Sequence, residues 1–327
     1  MPLDARAFWV AAPGRGEIRP APVADPGPDE VLVRTLYSGI SRGTERLVFR
    51  GGVPPTQYAA MRAPFQEGEF PGPVKYGYLS VGVVTAGDER LRGQEVFCLY
   101  PHQSAYVVPA AAVVPVPEGV PARRAVLAGT VETAVNALWD AAPLVGDRVA
   151  VVGAGMVGCC VARLLAGIPG VQVTLYDVDG SRAEVADRLG VGFACAPERV
   201  GGCDMVFHAS ASADGLRLAL DLLADEGRVV ELSWYGDTPV EVGLGGRFHS
   251  ARLGIVASQV GRVAPARRAR RTPRDRLALA LRLLRDPAYE ALLTGTSPFE
   301  QLPAVASRLA DGSLPAVCHT ISYSGGG

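Results

Sequence analysis

The chain is poor in the residues that hold metals. Its 327 residues include six cysteines and four histidines, and no two cysteines form a Cys-x-x-Cys pair or stand at zinc-lobe spacing. That excludes a cysteine-built structural zinc site. Cys159 and Cys160 are adjacent within a predicted helix, where neighbouring side chains point to different faces, so they read as packing residues. Lysine is almost missing: Lys75 is the only one, and every other basic residue is arginine. Lysine can give up its proton near neutral pH when its surroundings favour it, whereas arginine cannot, which singles out Lys75. An excess of one charge is lacking too. The formal net charge is −1, which argues against a nucleic-acid surface or an acidic tail. No stretch of about eighteen apolar residues runs without glycine or charge. The opening Met-Pro-Leu-Asp-Ala-Arg has neither the basic start nor the apolar core of a secretory signal. The expectation is a cytoplasmic protein with no membrane partner, of one or two domains with ample core. No internal repeat of about twenty to fifty residues is present.

What the chain does have is concentrated between Arg148 and Asp177. Val149 to Val152 is a short apolar, β-branched run, the pattern of a buried parallel strand. Gly153, Gly155 and Gly158 then fit Gly-x-Gly-x-x-Gly, an apolar helical pattern follows over 156–165, and a second strand over 171–176 ends in Asp177. The spacing has a physical cause. The first glycine permits the tight turn, the second lets backbone approach a pyrophosphate, and the third lets helix and strand pack closely. The pyrophosphate would rest on the free N–H groups of Met156 and Val157 at the helix start. Asp177 would accept from the ribose hydroxyls and repel a 2′-phosphate, which predicts NAD rather than NADP. Arg182 is near enough in sequence to favour such a phosphate instead.

Around this unit the texture changes twice. Residues 7–120 read as β-rich, with strands over 7–12, 30–38, 79–86, 95–100 and 104–108 and a short helix over 45–49. The long loop 51–73 carries Tyr58, Phe65 and Phe70, which predict an ordered, substrate-covering segment. Helices over 123–127 and 132–141 precede the glycine motif. Further strands over 192–195, 204–209, 228–235 and 253–258, with a helix over 213–224, complete six parallel strands, a doubly wound α/β sheet. An arginine-crowded stretch follows: Arg262, Arg267, Arg268, Arg270, Arg271, Arg274 and Arg276. It either holds an acidic group of a substrate or is a solvated connection, and the balanced net charge favours the connection. Helices over 273–286 and 298–311, a strand over 316–323 and a frayed tail over 324–327 close the chain.

A β-rich front, a nucleotide-binding middle and a returning C-terminal piece together resemble the medium-chain dehydrogenase/reductase superfamily over essentially the whole chain. Two stretches, Ser38-Gly-Ile-Ser-Arg-Gly-Thr-Glu45 and Tyr76-Gly-Tyr-Leu-Ser-Val-Gly-Val-Val84, are most similar to its bacteriochlorophyllide-dehydrogenase-like branch, which oxidises a secondary alcohol on a large planar ring. The resemblance implies a GroES-like catalytic domain, 1–121 with 264–327, a Rossmann domain, 122–263, and a cofactor in the cleft between them. Zinc-dependent members place a cysteine where Ser41 stands, a His-Glu pair at Tyr78-Leu79, and a further cysteine or acid near Ala128. These replacements bind Zn²⁺ poorly or not at all, so a zinc-free enzyme is expected. The resemblance also places Arg42 and His319 near the cofactor phosphates.

Without a metal, a side chain or an ordered water must handle the proton at the substrate oxygen. Lys75, Tyr76 and Tyr78 stand together in sequence, and a neighbouring ammonium lowers a tyrosine pKa, so Lys75 and Tyr78 are the expected acid–base groups. Tyr78 filling the vacated zinc cavity is the plain alternative. Glu45 and Thr44 are further candidates, although both are common helix-start residues. His102, on a loop, reads as incidental. The sequence thus predicts a zinc-independent, NAD-dependent oxidoreductase interconverting a secondary alcohol and a ketone, with a C=C reductase or a non-catalytic redox sensor as rivals. Residues 253–258 would form an exposed apolar sheet edge, which predicts a homodimer.

Overall fold

The computed structural model describes residues 3–197 and 200–323; the tail expected to fray lies outside these described residues. The chain divides into two compact units, one of Met1–Gly129, Leu281–Arg285 and Leu293–Gly327, the other of Thr130–Ala280 and Asp286–Leu292. The boundaries differ from those read in the sequence at both ends of the middle unit. Residues 122–129 belong to the first unit, where Leu79 fills the space beside Gly129, so that a β-carbon there would lie 2.6 Å from Leu79 Cδ2. Residues 264–280 belong to the second. Arg276, 2% exposed, holds them there through Glu132 at 3.0 Å and through Asn136 and the Val260 carbonyl. The arginine stretch is therefore not uniform: Arg262, Arg267, Arg268, Arg270, Arg271 and Arg274 are exposed, whereas Arg276 is a buried tie.

In chain order the first unit carries β1 (Arg6–Ala12), β2 (Arg15–Pro20), β3 (Glu30–Ile40), helix α1 (Arg42–Phe49), β4 (Glu67–Gly68), β5 (Val74–Lys75), β6 (Ser80–Gly87), β7 (Glu95–Cys98), β8 (Ala105–Pro109), β9 (Val113–Pro115) and α2 (Ala122–Ala125). Helix α3 (Ala128–Ala141) leads into β10 (Arg148–Val152), α4 (Met156–Ala166), β11 (Gln172–Tyr176), α5 (Ala183–Leu189), β12 (Gly192–Ala194), β13 (Cys203–His208), α6 (Ala213–Leu222), β14 (Leu223–Glu231), α7 (Arg247–Ser250) and β15 (Gly254–Ala257). Helix α8 (Pro273–Leu283), β16 (Leu293–Pro298), α9 (Leu302–Asp311) and β17 (Cys318–Ser322) complete the chain.

The first unit holds two sheets. One has the order β2-β1-β5-β4; the other runs β16-β17-β3-β6-β7-β9, with β8 also pairing β3. Alternating valines of β3, β6 and β8 point inward, and Val31, Val33, Val84, Val96, Tyr106 and Val108 form a core against Val113 and Tyr100. The loop expected to be ordered is anchored by its aromatics: Phe70 is buried 5.6 Å from the Tyr76 ring, and Phe65 lies 5.3 Å from the Tyr100 ring.

The second unit is a six-stranded sheet of order β12-β11-β10-β13-β14-β15, parallel throughout. That is the 3-2-1-4-5-6 order of the doubly wound dinucleotide fold, whose order reverses between β10 and β13. Ligands of such sheets bind beyond the strand carboxyl ends at that reversal. Cys159 and Cys160 are fully buried in α4, as packing residues should be. Among the described residues no helix is long and apolar enough to cross a membrane.

Candidate functional site

In the second unit, β10 ends at Val152 and the chain turns at Gly153, whose φ of +108° an L side chain rarely adopts. A β-carbon there would lie 2.7 Å from the Ser210 amide nitrogen. At Gly158 a β-carbon would come within 1.9 Å of the Gly153 carbonyl oxygen, so glycine alone lets α4 sit this close to the turn. Gly155 differs. It is the N-cap of α4, and nothing lies within 4 Å of the place its β-carbon would take. The backbone is bare where an anion could approach the N–H groups of Met156 and Val157.

Asp177 follows β11 and its carboxylate braces this turn: Oδ2 accepts from the Ala154 N–H at 2.7 Å and Oδ1 from the Asp179 N–H at 2.9 Å. Each oxygen retains a second lone pair with which to meet a ribose hydroxyl. Arg182 is drawn to Asp179, with Nε 3.2 Å from Oδ2 and a side chain only 12% exposed.

The first unit contains a second constellation. Ser41 ends the link from β3 to α1, and its hydroxyl accepts from the Tyr78 hydroxyl at 2.7 Å. The Ser41 N–H donates to Glu45 Oε1, also at 2.7 Å. Glu45 Oε2 meets His102 Nε2 at 2.8 Å, and His102 Nδ1 meets Ser38 Oγ at 2.7 Å. Ser38 Oγ in turn lies 2.9 Å from the Tyr323 hydroxyl. In a neutral His102 facing a carboxylate, the proton resides on Nε2. The chain then has one direction, with Tyr323 donating to Ser38, Ser38 to His102 and His102 to Glu45. Ser41, Tyr78 and Glu45 are half-buried, whereas Ser38 and His102 are fully enclosed. The incidental reading of His102 is thereby overturned: at 1% exposure, with both ring nitrogens engaged, it orients Glu45.

Tyr78 has its pKa pushed up to about 12, by burial first and then by the Glu45 charge, against hydrogen bonds with Ser41 and Thr44. The neighbouring ammonium that was to lower it is elsewhere. Lys75, 2% exposed, faces Glu67 on β4, with Gln103 Oε1 at 2.8 Å and the Tyr100 hydroxyl at 3.4 Å. Its pKa is lowered by burial, with Glu67 opposing the shift. Side chains alternate along extended backbone; Lys75 takes one side and Tyr76 the other, where the Tyr76 ring packs edge-on 6.0 Å from that of Tyr78. Lys75 and Tyr78 therefore do not form one acid–base group, and Tyr78 holds its proton firmly.

The phosphate-binding expectations fare differently. Arg42 opens α1 and its guanidinium donates to the Ala316 carbonyl at 3.3 Å. His319, on β17, is buried and bonded through Nε2 to Ser297 Oγ at 2.9 Å. Burial and then the nearby Arg308 lower its pKa, and a neutral, enclosed imidazole is a poor partner for a phosphate. The four zinc positions offer no ligand set. Ser41 Oγ is taken by Tyr78, Leu79 and Ala128 are fully buried and apolar, and among the described residues no three His, Cys, Asp or Glu side chains group to hold a metal ion. These residues do not fit Zn²⁺.

No protein-family model matches the chain, and no curated protein matches it. Solved structures do. L-idonate 5-dehydrogenase from Escherichia coli superposes with a TM-score of 0.80 at 16% identity, over 98% of this chain and 99% of that one. Acetophenone reductase from Geotrichum candidum, solved in complex with NAD, gives 0.77 at 18% identity, over 98% of each chain. The alcohol dehydrogenase TADH from a Thermus species gives 0.73 at 20% identity, over 97% of this chain and 99% of that one. At such identities the likeness speaks for the fold alone: a GroES-like β-rich unit and a Rossmann doubly wound unit.

Proposed function

We propose that the chain is a cytoplasmic, zinc-independent, NAD-dependent oxidoreductase that interconverts a secondary alcohol and a ketone. The observation that carries this reading is the Tyr78–Ser41–Glu45 cluster, in which two hydroxyls stand where zinc-using members of the superfamily the chain resembles keep ligands, with the oriented carboxylate of Glu45 beside them. A nicotinamide, when bound, supplies or takes the hydride; the chain must manage the proton at the substrate oxygen. In the reducing direction Ser41, already accepting from Tyr78, donates its own proton to the developing alkoxide, and Tyr78 passes one to Ser41. A Tyr78 pKa near 12 suits it to hold that proton ready at neutral pH. Glu45, held by His102, fixes the Ser41 backbone. A panel of ketones with NADH, and of secondary alcohols with NAD, tests the reading; reduction confined to activated C=C bonds would replace it.

The cofactor choice rests on Asp177, whose charge opposes a 2′-phosphate, with Arg182 bound to Asp179 beside it. Titration is expected to show tighter binding of NADH than of NADPH, and Asp177→Ala to narrow the gap mainly by weakening NADH. Tighter NADPH binding in the unmodified protein would reverse the assignment.

We also propose a homodimer. Strand β15 ends the order of the parallel sheet, and Ile255 and Val256 on it are 37% and 39% exposed. An apolar edge of this kind pairs readily with its own copy. The mass in solution at micromolar concentration should be that of two chains, and Val256→Lys should shift it toward one; a monomeric unmodified protein would contradict the proposal.

A further inference from the structure

A third polar network lies in the second unit, at the carboxyl ends of β13 and β14. His208 and Glu231 are register partners on these parallel strands, each the last residue of its strand. His208 is fully buried, and its Nδ1 sits 2.8 Å from Glu231 Oε2. Its Nε2 sits 2.7 Å from the hydroxyl of Ser210, which is half-buried. Glu231 is well supplied with donors: the Ser233 N–H at 2.7 Å on Oε1 and the Tyr235 hydroxyl at 3.1 Å on Oε2. Burial works to raise its pKa, but the bond and charge of His208 and the Ser233 donors prevail and hold it below the usual carboxylate value. Gly215, in the first turn of α6, leaves room for all this, since a β-carbon there would fall 2.1 Å from Ser210 Oγ and 2.8 Å from His208 Nε2.

The order Ser–His–carboxylate is that of a nucleophile relay, yet the next feature of such a site is missing from use. The N–H of Ala211, following Ser210, would have to face an oxyanion; it donates instead to Ser233 Oγ at 3.1 Å, with Ala211 at φ +52°. The network orients a hydroxyl and does not arm it for acyl transfer. A hydroxyl has one proton and two lone pairs. Two of these sites on Ser210 go to His208 and to Ser212 Oγ at 2.9 Å, so among the described residues a third remains for a ligand.

The position identifies that ligand. The Ser210 backbone abuts Gly153, on the β13 side of β10, while Asp177 stands on the β11 side. A dinucleotide whose first ribose meets Asp177 and whose pyrophosphate rests on α4 extends its second ribose toward β13. We propose that Ser210, fixed by the His208–Glu231 pair, is the hydrogen-bonding site for the hydroxyls of that second ribose. Ser210 makes the contact; His208 and Glu231 are positioning residues behind it. This rests on the dinucleotide reading given above.

Calorimetric titration of full-length protein with NADH, ADP-ribose and ADP tests it, using Ser210→Ala and, as a second route to the same loss, His208→Gln. ADP-ribose retains the second ribose without nicotinamide, and ADP lacks both. Each variant should bind NADH and ADP-ribose about five- to tenfold more weakly, the scale of one lost hydrogen bond with its orientation, and ADP as well as the unmodified protein does. Equal weakening of all three ligands would make the network a mere brace for the Gly153 turn, and weakening of NADH alone would move the contact to nicotinamide. Unchanged binding of all three would remove the contact altogether; each of these overturns the proposal. Failure of the unmodified protein to bind NADH or ADP-ribose would instead overturn the dinucleotide reading itself.

Discussion

Tyr78→Phe should lower the turnover of ketone reduction by about 10²- to 10⁴-fold, the usual worth of a positioned proton donor, while NADH binds as before. The phenylalanine keeps the ring against Tyr76 and removes only the hydroxyl that donates to Ser41. Lys75→Met is the informative companion. Lys75 is committed to Glu67, Gln103 and Tyr100, away from that pair, so its loss should depress the melting temperature and leave turnover within a few-fold. A variant pair with the reverse pattern, Lys75→Met inactive and Tyr78→Phe active, would transfer the acid–base role to the lysine. Near-normal turnover in both would leave Glu45 or an ordered water as the proton carrier.

The second large effect separates two glycines of one motif. Gly155→Ala places a methyl group in open space at an ordinary φ of −82°, so the fold should tolerate it. The same methyl would stand where the pyrophosphate must approach, and NADH affinity should fall at least about tenfold. Gly158→Ala drives a β-carbon to within 1.9 Å of a backbone oxygen, and backbone cannot swing aside as a side chain can. Overpacking of this kind costs about 1–3 kcal/mol, which should appear as a lower melting temperature even without ligand. Equal melting of the two variants would mean that α4 and the turn can separate cheaply.

The glycine motif was legible because its function is written in local spacing. Turn, bare helix start and close packing are each set within a few residues, and Asp177 terminates the next strand by the same short-range logic. Elements without apolar alternation were not legible. Strand β2, Arg-Gly-Glu-Ile-Arg-Pro, and strand β16, Leu-Thr-Gly-Thr-Ser-Pro, carry no strand signal because polar, glycine and proline residues hide them; their pairing with β1 and β17 overrides local preference. Strand β14 begins at Leu223, inside the span expected to finish a helix, because Leu-Ala-Asp-Glu carries no period-two signal.

The polar clusters depend on contacts made across the sequence. Glu45 and His102 are 57 residues apart, and Ser38 and Tyr323 come from opposite ends of the chain. Lys75 and Tyr78 show the converse: they are near in sequence, yet Lys75 bonds Glu67, Gln103 and Tyr100 rather than Tyr78, because neighbouring residues of an extended segment face apart. The His208–Glu231 pair left one usable trace. Both residues fall in spans expected to be parallel strands, and polar residues at the carboxyl ends of such strands face the binding crevice.

The proposed hydride transfer needs no metal, its proton being handled by Tyr78 and Ser41. The most direct measurement is NADH-dependent turnover of a responsive ketone before and after exhaustive chelation, with metal content determined on the same samples. No stoichiometric zinc and equal turnover in both are expected. Turnover that disappears on chelation and returns with added Zn²⁺ would contradict the proposal.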